Sequence, residues 1–284
     1  MGTPANACFG LLHPGAMGAT VGATLRAGGA DVVWASDGRS GATRERAANA
    51  GLRDVGRLEA LVAAADTIVS VCPPHAAEAL AETVVALGFR GCFLDANAVA
   101  PARALALRDR IEGAGGRFVD GGIVGPPAVR PGTTWLHLSG PDASALADAF
   151  AAGPLALNVV SERVGDASAL KMCYAAFTKG STALLAAQLA TARSFGVQAA
   201  LEAQWERDEP GSVERAEARL RRVTAKAWRF EGEMHEIAAT FAAAGLPGTF
   251  HAAAAEVYAR LAGFRDEAEP PALEAVLAAL THRS

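Results

Sequence analysis

Lysine is nearly absent from this 284-residue chain, in which Lys171, Lys179 and Lys226 stand against 23 arginines. Any chemistry that needs a lysine therefore has only three positions to choose from. The four cysteines, Cys8, Cys72, Cys92 and Cys173, are widely spaced, without a C-x-x-C pair or an accompanying histidine pair. That spacing excludes a disulfide framework and a zinc centre as expectations, and the three cysteines in apolar runs read as buried free thiols. No metal is expected. No apolar run is long enough to cross a bilayer, and no charged segment leads into an apolar one at the start, so a cytoplasmic protein without a membrane partner is expected. Charge of one sign is also scarce. A net charge of −4 with no basic cluster argues against nucleic acid as a partner.

With 51% hydrophobic residues, the chain can bury one large or two medium cores. Its first half alternates short apolar runs with Ala/Arg/Glu-rich helical patterns. Strands are expected at 8–12, 31–35, 67–72, 92–96 and 117–120, then at 133–138 and 155–160. Helices are expected between them, near 16–27, 41–50, 58–65, 75–87, 101–113 and 143–151. That alternation predicts a parallel sheet covered on both faces. After Gly165 the pattern becomes helical, with a long stretch at 169–195 and breaks at Pro210-Gly211, Gly245 to Gly248 and Pro270-Pro271. The expected fold is α/β: a Rossmann-type doubly wound sheet over residues 1–163, followed by an all-helical domain over residues 164–284.

The stretch Ala7 to Ala30 is the most informative. An apolar run breaks at His13-Pro14-Gly15-Ala16-Met17-Gly18 into a helical pattern, the arrangement by which an α/β sheet receives the pyrophosphate of a dinucleotide. Gly15 lets the backbone approach the phosphates, and Gly18 lets the helix pack close to the strand. His13 occupies the place of the first glycine in the usual G-x-G-x-x-G pattern, so a plain strand–turn–helix unit is the alternative reading. The second strand ends Ser36-Asp37-Gly38-Arg39-Ser40. A 2′-phosphate would suit Arg39 as a bidentate partner with Ser36 or Ser40 donating, which favours NADP over NAD. Asp37 is the feature that would suit NAD instead, and a solvated loop with Ser40 as helix N-cap is the plain alternative.

Lys171, Tyr174 and Thr178 share one face of the long predicted helix, with Lys179 near its edge. An apolar setting of Ala, Leu, Met and Cys around Lys171 would lower its pKa toward that of a general acid/base; a solvent-reaching lysine is the plain alternative. Glu231 and His235 fall at i, i+4, but no further metal ligand accompanies them, and the charged run 205–222 reads as exposed helix with Ser212 as an N-cap.

These motifs occur together and in order, and the chain resembles the β-hydroxyacid dehydrogenase family, which includes 6-phosphogluconate and 3-hydroxyisobutyrate dehydrogenases. The resemblance runs over essentially the whole length. Pro14 to Gly18 matches G-L-G-x-M-G; Val71-Cys72-Pro73-Pro74 looks like the loop that borders the nicotinamide ribose; Asp95 to Pro101 matches D-x-S-T-x-x-P with Asn97 replacing a hydroxyl residue. Phe118 to Gly125 is similar to the substrate-binding segment F-x-D-A-P-V-S-G, and Gly132-Thr133 follows where the family has G-T. The resemblance implies cofactor contacts from Cys72, Pro73 and Asn97, substrate contacts from Gly122, Ile123, Val124, Gly125 and Glu233, and Lys171 as catalytic lysine. It also implies a helical second domain and a homodimer. The run Lys226 to Met234 looks like the signature of a subgroup with a distinct C-terminal domain of poorly defined function.

Departures from the family pattern bear on substrate. Tyr174-Ala175 stands where the family has a polar pair, Val124 replaces a serine that grips a carboxylate, and Gly232 stands where a second-domain lysine is usual, with Glu233 matching the aspartate after it. The expected activity is NADP(H)-dependent hydride transfer to or from the carbinol or carbonyl carbon of a small organic substrate. Lys171 would exchange the proton, Tyr174 would assist, and the 122–125 segment would offer backbone N–H groups. Imine reduction on the same scaffold and non-catalytic dinucleotide binding are the alternatives.

Overall fold

Neighbouring residues in the apolar strands divide between two opposite faces, because side chains alternate along a strand. Leu11, Val32, Val69, Leu94 and Val119 enter one core, together with Val21, Leu25 and Phe150. Leu12, Val33, Ile68, Phe93 and Phe118 enter the other, with Leu61, Val84, Leu107 and Ile111. Strands buried on both faces demand helices on both faces, and this structure, a computed structural model that describes residues 7–265, 267 and 269–281, supplies them.

The chain divides into two compact units, Met1–Met172 and Cys173–Ser284. In the first, β1 (Cys8–Leu12) leads into α1 (Ala16–Ala27), then β2 (Asp31–Trp34), α2 (Gly41–Asn49), β3 (Arg53–Asp54), α3 (Leu58–Ala64) and β4 (Thr67–Ser70). A 3₁₀ turn at Pro74–Ala76 precedes α4 (Ala77–Ala86), followed by β5 (Cys92–Asp95), α5 (Pro101–Gly113), β6 (Arg117–Val124) and β7 (Thr134–Ser139). Then come α6 (Ala143–Ala147) and β8 (Leu155–Ser161). The sheet order is β3-β2-β1-β4-β5-β6-β7-β8. The first six strands run parallel, β7 is antiparallel to β6, and β8 runs parallel to β7. This is the doubly wound order, with its direction of winding reversing between β1 and β4.

Three expectations from sequence need correction. β3 was not foreseen, because two exposed residues, Arg53 and Asp54, carry no apolar signal. β6 runs on to Val124 instead of ending at Asp120, so Gly121 and Gly122 are strand residues paired with Leu138 and His137. β4 ends at Ser70 instead of Cys72, so Val71 and Cys72 already belong to the loop that follows.

The second unit is helical throughout its described residues. α7 (Asp166–Ser194) runs from the end of the first unit into the second. It is followed by α8 (Gln198–Asp208), α9 (Ser212–Val223), α10 (Ala227–Ala243), α11 (Thr249–Arg260) and α12 (Leu273–Thr281). Apart from the 3₁₀ turn Thr224–Lys226 between α9 and α10, the breaks fall where glycine and proline punctuate the sequence. The N-cap of α9 is Gly211, at φ 78°, while the Ser212 hydroxyl is buried inside the first turn without a partner, so the expected serine cap is not used. Among the described residues no helix is long and apolar enough to cross a membrane.

Candidate functional site

The sequence-selected residues of the first unit gather along one edge of its sheet, where β2, β1, β4, β5 and β6 end in spatial succession. Ligands of open α/β sheets bind at that edge, beside the point where the winding reverses. The turn after β1 is drawn tight by a hydrogen bond from Gly15 N to His13 O at 2.7 Å. Gly18 is obligatory, because a Cβ there would lie 2.4 Å from the His13 carbonyl oxygen. The space around Gly15 is open, with no atom within 4 Å of an added Cβ. Ala16 and Met17 begin α1, whose first turn holds no acidic residue and whose N-cap, Gly15, provides no side-chain cap. Its first N–H groups are therefore available to an anion. Pro14 is buried, and its carbonyl accepts from Arg46 Nε at 3.4 Å.

The segment after β2 is more committed than its sequence suggests. Ser36 is buried and hydrogen-bonded to Asp54, and its carbonyl accepts from Arg44 Nη2 at 2.8 Å. Ser40 caps α2, accepting from Thr43 N at 3.3 Å. Both serines therefore have structural partners. Arg39 is half-buried and has no carboxylate partner among the described residues. It lines a cavity of about 170 Å³ with Asp37, Leu11, Leu12 and Leu58.

At the ends of β4 and β5, Asn97 is buried and fully employed. Its amide nitrogen donates to Asp95 and to Ser70 Oγ at 3.0 Å, while its oxygen accepts from Cys72 N at 2.5 Å. This clamp sets where Cys72 and Pro73 leave the sheet. Burial, and then the neighbouring Asp95, push the Cys72 thiol up to about 11, so it is a protonated, unreactive thiol at neutral pH.

Sequence reasoning missed a polar row that crosses the sheet. Strand register places Ser70, Asp95, Asp120 and Ser139 side by side on β4, β5, β6 and β7, and all four are buried. Asp120 accepts from Ser139 Oγ at 2.9 Å, Gly165 N at 3.0 Å, Ser168 N at 3.0 Å and Ser168 Oγ at 2.6 Å. Ser139 Oγ accepts from Ala167 N at 3.0 Å. The start of α7 is thus seated on β6 and β7 by its own backbone N–H groups, an anion-at-N-terminus arrangement.

That seating positions Lys171. The half-buried lysine lies over Gly122, where an added Cβ would come within 2.9 Å of Lys171 Cβ and 2.7 Å of Ala167 O. His137, opposite Gly122 in the β6–β7 pairing, was also not foreseen. Its pKa is lowered by burial and by the Lys171 charge, and its Nδ1 lies 3.1 Å from Asn158 Nδ2. Ile123 and Val124 are ladder residues facing Leu136 and Trp135, and Gly125 (φ 125°) turns the chain against Thr133 and Thr134.

In the second unit, Tyr174 is exposed on the turn of α7 after Lys171. Glu233 is buried in α10, and its Oε2 lies 2.9 Å from Lys179 Nζ. Lys179 also sits 4.9 Å from the Phe230 ring centroid, and its carbonyl accepts from Tyr258 Oη at 2.8 Å. Glu233 therefore has a cation of its own unit as partner. Among the described residues no group of three or more His, Cys, Asp and Glu is arranged to hold a metal ion.

Comparison with known proteins agrees with this architecture. Residues 192–261 match the family model described as Domain of unknown function (DUF1932). Searching the curated proteins finds no match to the chain. Among solved structures, the conserved protein MTH1747, of unknown function and itself reported as structurally similar to 3-hydroxyacid dehydrogenases, is 26% identical, with a TM-score of 0.64 over 89% of this chain and 96% of that one. The Mycobacterium tuberculosis 3-hydroxyisobutyrate dehydrogenase shares the fold at 17% identity, TM-score 0.67, covering 97% and 99% of the two chains. An Aspergillus terreus reductive aminase, solved with NADPH and ethyl levulinate, shares it at 18% identity, TM-score 0.55, covering 96% and 99%. The resemblance read from the motifs to the hydroxyacid dehydrogenases is thus matched at the level of the fold.

Proposed function

We propose that this protein is a nicotinamide-dinucleotide-dependent oxidoreductase that uses NADP(H) and acts at the carbinol or carbonyl carbon of a small organic substrate. The observation that carries the reading is the pairing of an anion-receptive β1–α1 turn with a half-buried lysine held over the end of β6 in the same unit. The residues fit a phosphate-bearing dinucleotide. The α1 N-terminus is uncapped by side chains, Gly15 is open to backbone approach, and the buried His13 Nδ1 has no partner among the described residues. A bound nicotinamide supplies or accepts the hydride.

The chain's own residues do the rest. Ala16, Met17 and Gly18 present N–H groups to the pyrophosphate, and Arg39 meets the adenosine ribose end. Asn97 holds Cys72 and Pro73 in place as a wall of the site. Lys171 Nζ exchanges the proton with the substrate oxygen, and burial followed by the Lys171 charge lowers the pKa of the nearby His137. Imine reduction is the second reading, favoured by the fold shared with the reductive aminase and by the exposed Tyr174 one turn from Lys171.

The test is Lys171→Met assayed with NADPH and panels of hydroxy acids, ketones and cyclic imines. NADPH affinity should stay within about twofold of the wild type while turnover falls by about 10²–10⁴. Unchanged turnover would remove Lys171 from the chemistry. Tight NADPH binding with no oxidation by any panel would favour a binding protein.

A further inference from the structure

The turn after β1 carries an anomaly that a plain dinucleotide site does not need. Among the described residues His13 is the one non-glycine residue with positive φ, at 65°. A side chain in that region costs about 1–2 kcal/mol, and such strain concentrates where ligands are clamped. The imidazole is half-buried, with Nδ1 enclosed and without a hydrogen-bond partner. From the neighbouring strand end, the desolvated Arg39 guanidinium lies close enough for its charge to act on the ring.

The surrounding charges leave this pair uncompensated. Arg44 is turned onto Ser36 O, and Arg46 onto Pro14 O and Thr43 Oγ1 at 3.0 Å. Asp37 and Glu59 line the adjacent cavity beside Arg39, but neither forms an ion pair with it. The first turn of α1 brings no carboxylate. His13 adjoins the uncapped α1 N-terminus, Arg39 acts on its ring through its charge, and neither basic group has an anionic partner among the described residues.

We propose that His13 and Arg39 together receive the 2′-phosphate of the cofactor's adenosine ribose, and that His13 takes up one proton from solvent as the phosphate binds. This inference rests on the proposed dinucleotide site and adds to it a specificity residue and a proton linkage. In the free protein, burial and then Arg39 hold the His13 pKa down to about 4, so the ring is neutral at pH 7. A dianion placed beside both groups reverses the local potential and stabilises the imidazolium. Discrimination against cofactors with a bare 2′-hydroxyl then grows as pH falls toward the free-state value.

Calorimetric titration of the full-length protein with 2′,5′-ADP and 5′-ADP, in two buffers of different ionisation enthalpy, tests this. The wild type should take up about 0.3–1 more proton per bound 2′,5′-ADP than His13→Gln at pH 6.5. Ionisation of the free ligand's phosphate is common to both titrations. The preference for 2′,5′-ADP over 5′-ADP should be at least about fivefold larger at pH 6 than at pH 8 in the wild type, and that change should vanish in His13→Gln. His13→Gly, which removes the backbone strain, keeps the comparison open should the glutamine variant fold poorly.

Equal proton uptake by wild type and variants, with 2′,5′-ADP still bound, would overturn the inference and leave the cofactor site standing. Binding of both adenosine ligands without discrimination would overturn it equally. A protein that binds neither these nor NADP(H) nor NAD(H) would overturn the proposed function itself.

Discussion

Asp95 and Asp120 are register partners on adjacent parallel strands, both at most 1% exposed, and the fold treats the two carboxyls in opposite ways. Asp120 accepts hydrogen bonds from two backbone N–H groups at the start of α7 and from two serine hydroxyls. Asp95 accepts from Asn97 on one oxygen and has no partner among the described residues for the other, and burial followed by the Asp120 charge raises its pKa to about 7. One row of the sheet thus holds a carboxyl met by four donors next to a carboxyl that keeps its proton well above the usual carboxylate range.

The pH dependence of stability follows from that asymmetry. Because the Asp95 pKa is raised in the folded state, its proton is retained in the native protein after the unfolded chain has lost it. This contribution is fully present below about pH 4, declines as pH rises, and is gone above about pH 7. Asp95→Asn keeps an acceptor for Asn97 and cannot ionise. Thermal melts should show the wild type losing at least about 3 °C relative to Asp95→Asn between pH 5 and pH 8. Parallel pH profiles would mean that Asp95 ionises normally.

Gly122→Ala tests how closely α7 approaches β6. The added methyl would meet Ala167 O at 2.7 Å and Lys171 Cβ at 2.9 Å, so either strand or helix must move. Overpacking of this kind costs about 1–3 kcal/mol, read as a lowered denaturation midpoint at unchanged m-value. Gly41→Ala in the first turn of α2 is the control, since nothing lies within 4 Å of its added Cβ. That variant should be neutral or stabilised by about 0.4–1 kcal/mol.

Glu233 bears on the helical unit. Its carboxylate and Lys179 Nζ are 10% and 15% exposed and 2.9 Å apart. Glu233→Gln leaves the ammonium without its counter-charge and should cost about 2–4 kcal/mol in chemical denaturation. A double Lys179→Met, Glu233→Leu replacement should recover most of that loss, because removing both charges also removes their desolvation. A Glu233→Gln protein as stable as the wild type would mean that the carboxylate does not hold this unit together.

Much of this was legible in the amino-acid order because the governing signals are local. Residues 8–12 and 67–70 are short apolar runs, the glycine turn sits between a strand and a helix, and proline and glycine mark most of the helix breaks. Gly121 and Gly122 misled because glycines suggest a turn, whereas both are strand residues, Gly122 letting α7 lie close and Gly121 packing against Leu94 and the Asp95 carbonyl. Ser36 and Ser40 looked available to a ligand because a hydroxyl's actual partner, Asp54 or the α2 backbone, depends on the folded geometry. The Asp95–Asp120 neighbourhood was out of reach for a stronger reason. Twenty-five positions and a crossover helix separate the two residues, and only strand register makes them adjacent. The Lys179–Glu233 pair, in different helices, is hidden in the same way.

The buried polar row also constrains assembly of the sheet. Parallel strands joined by long helical crossovers have few local cues to their alignment, and apolar residues on both faces tolerate a slip. In this sheet, sliding β5 or β6 by a single residue would swing Asp95 or Asp120 into the opposite, aliphatic layer, away from the seryl and backbone donors that accommodate it. Misaligned sheets are thereby penalised at two central strands, and the acidic pair serves as a ruler that lets only one alignment survive.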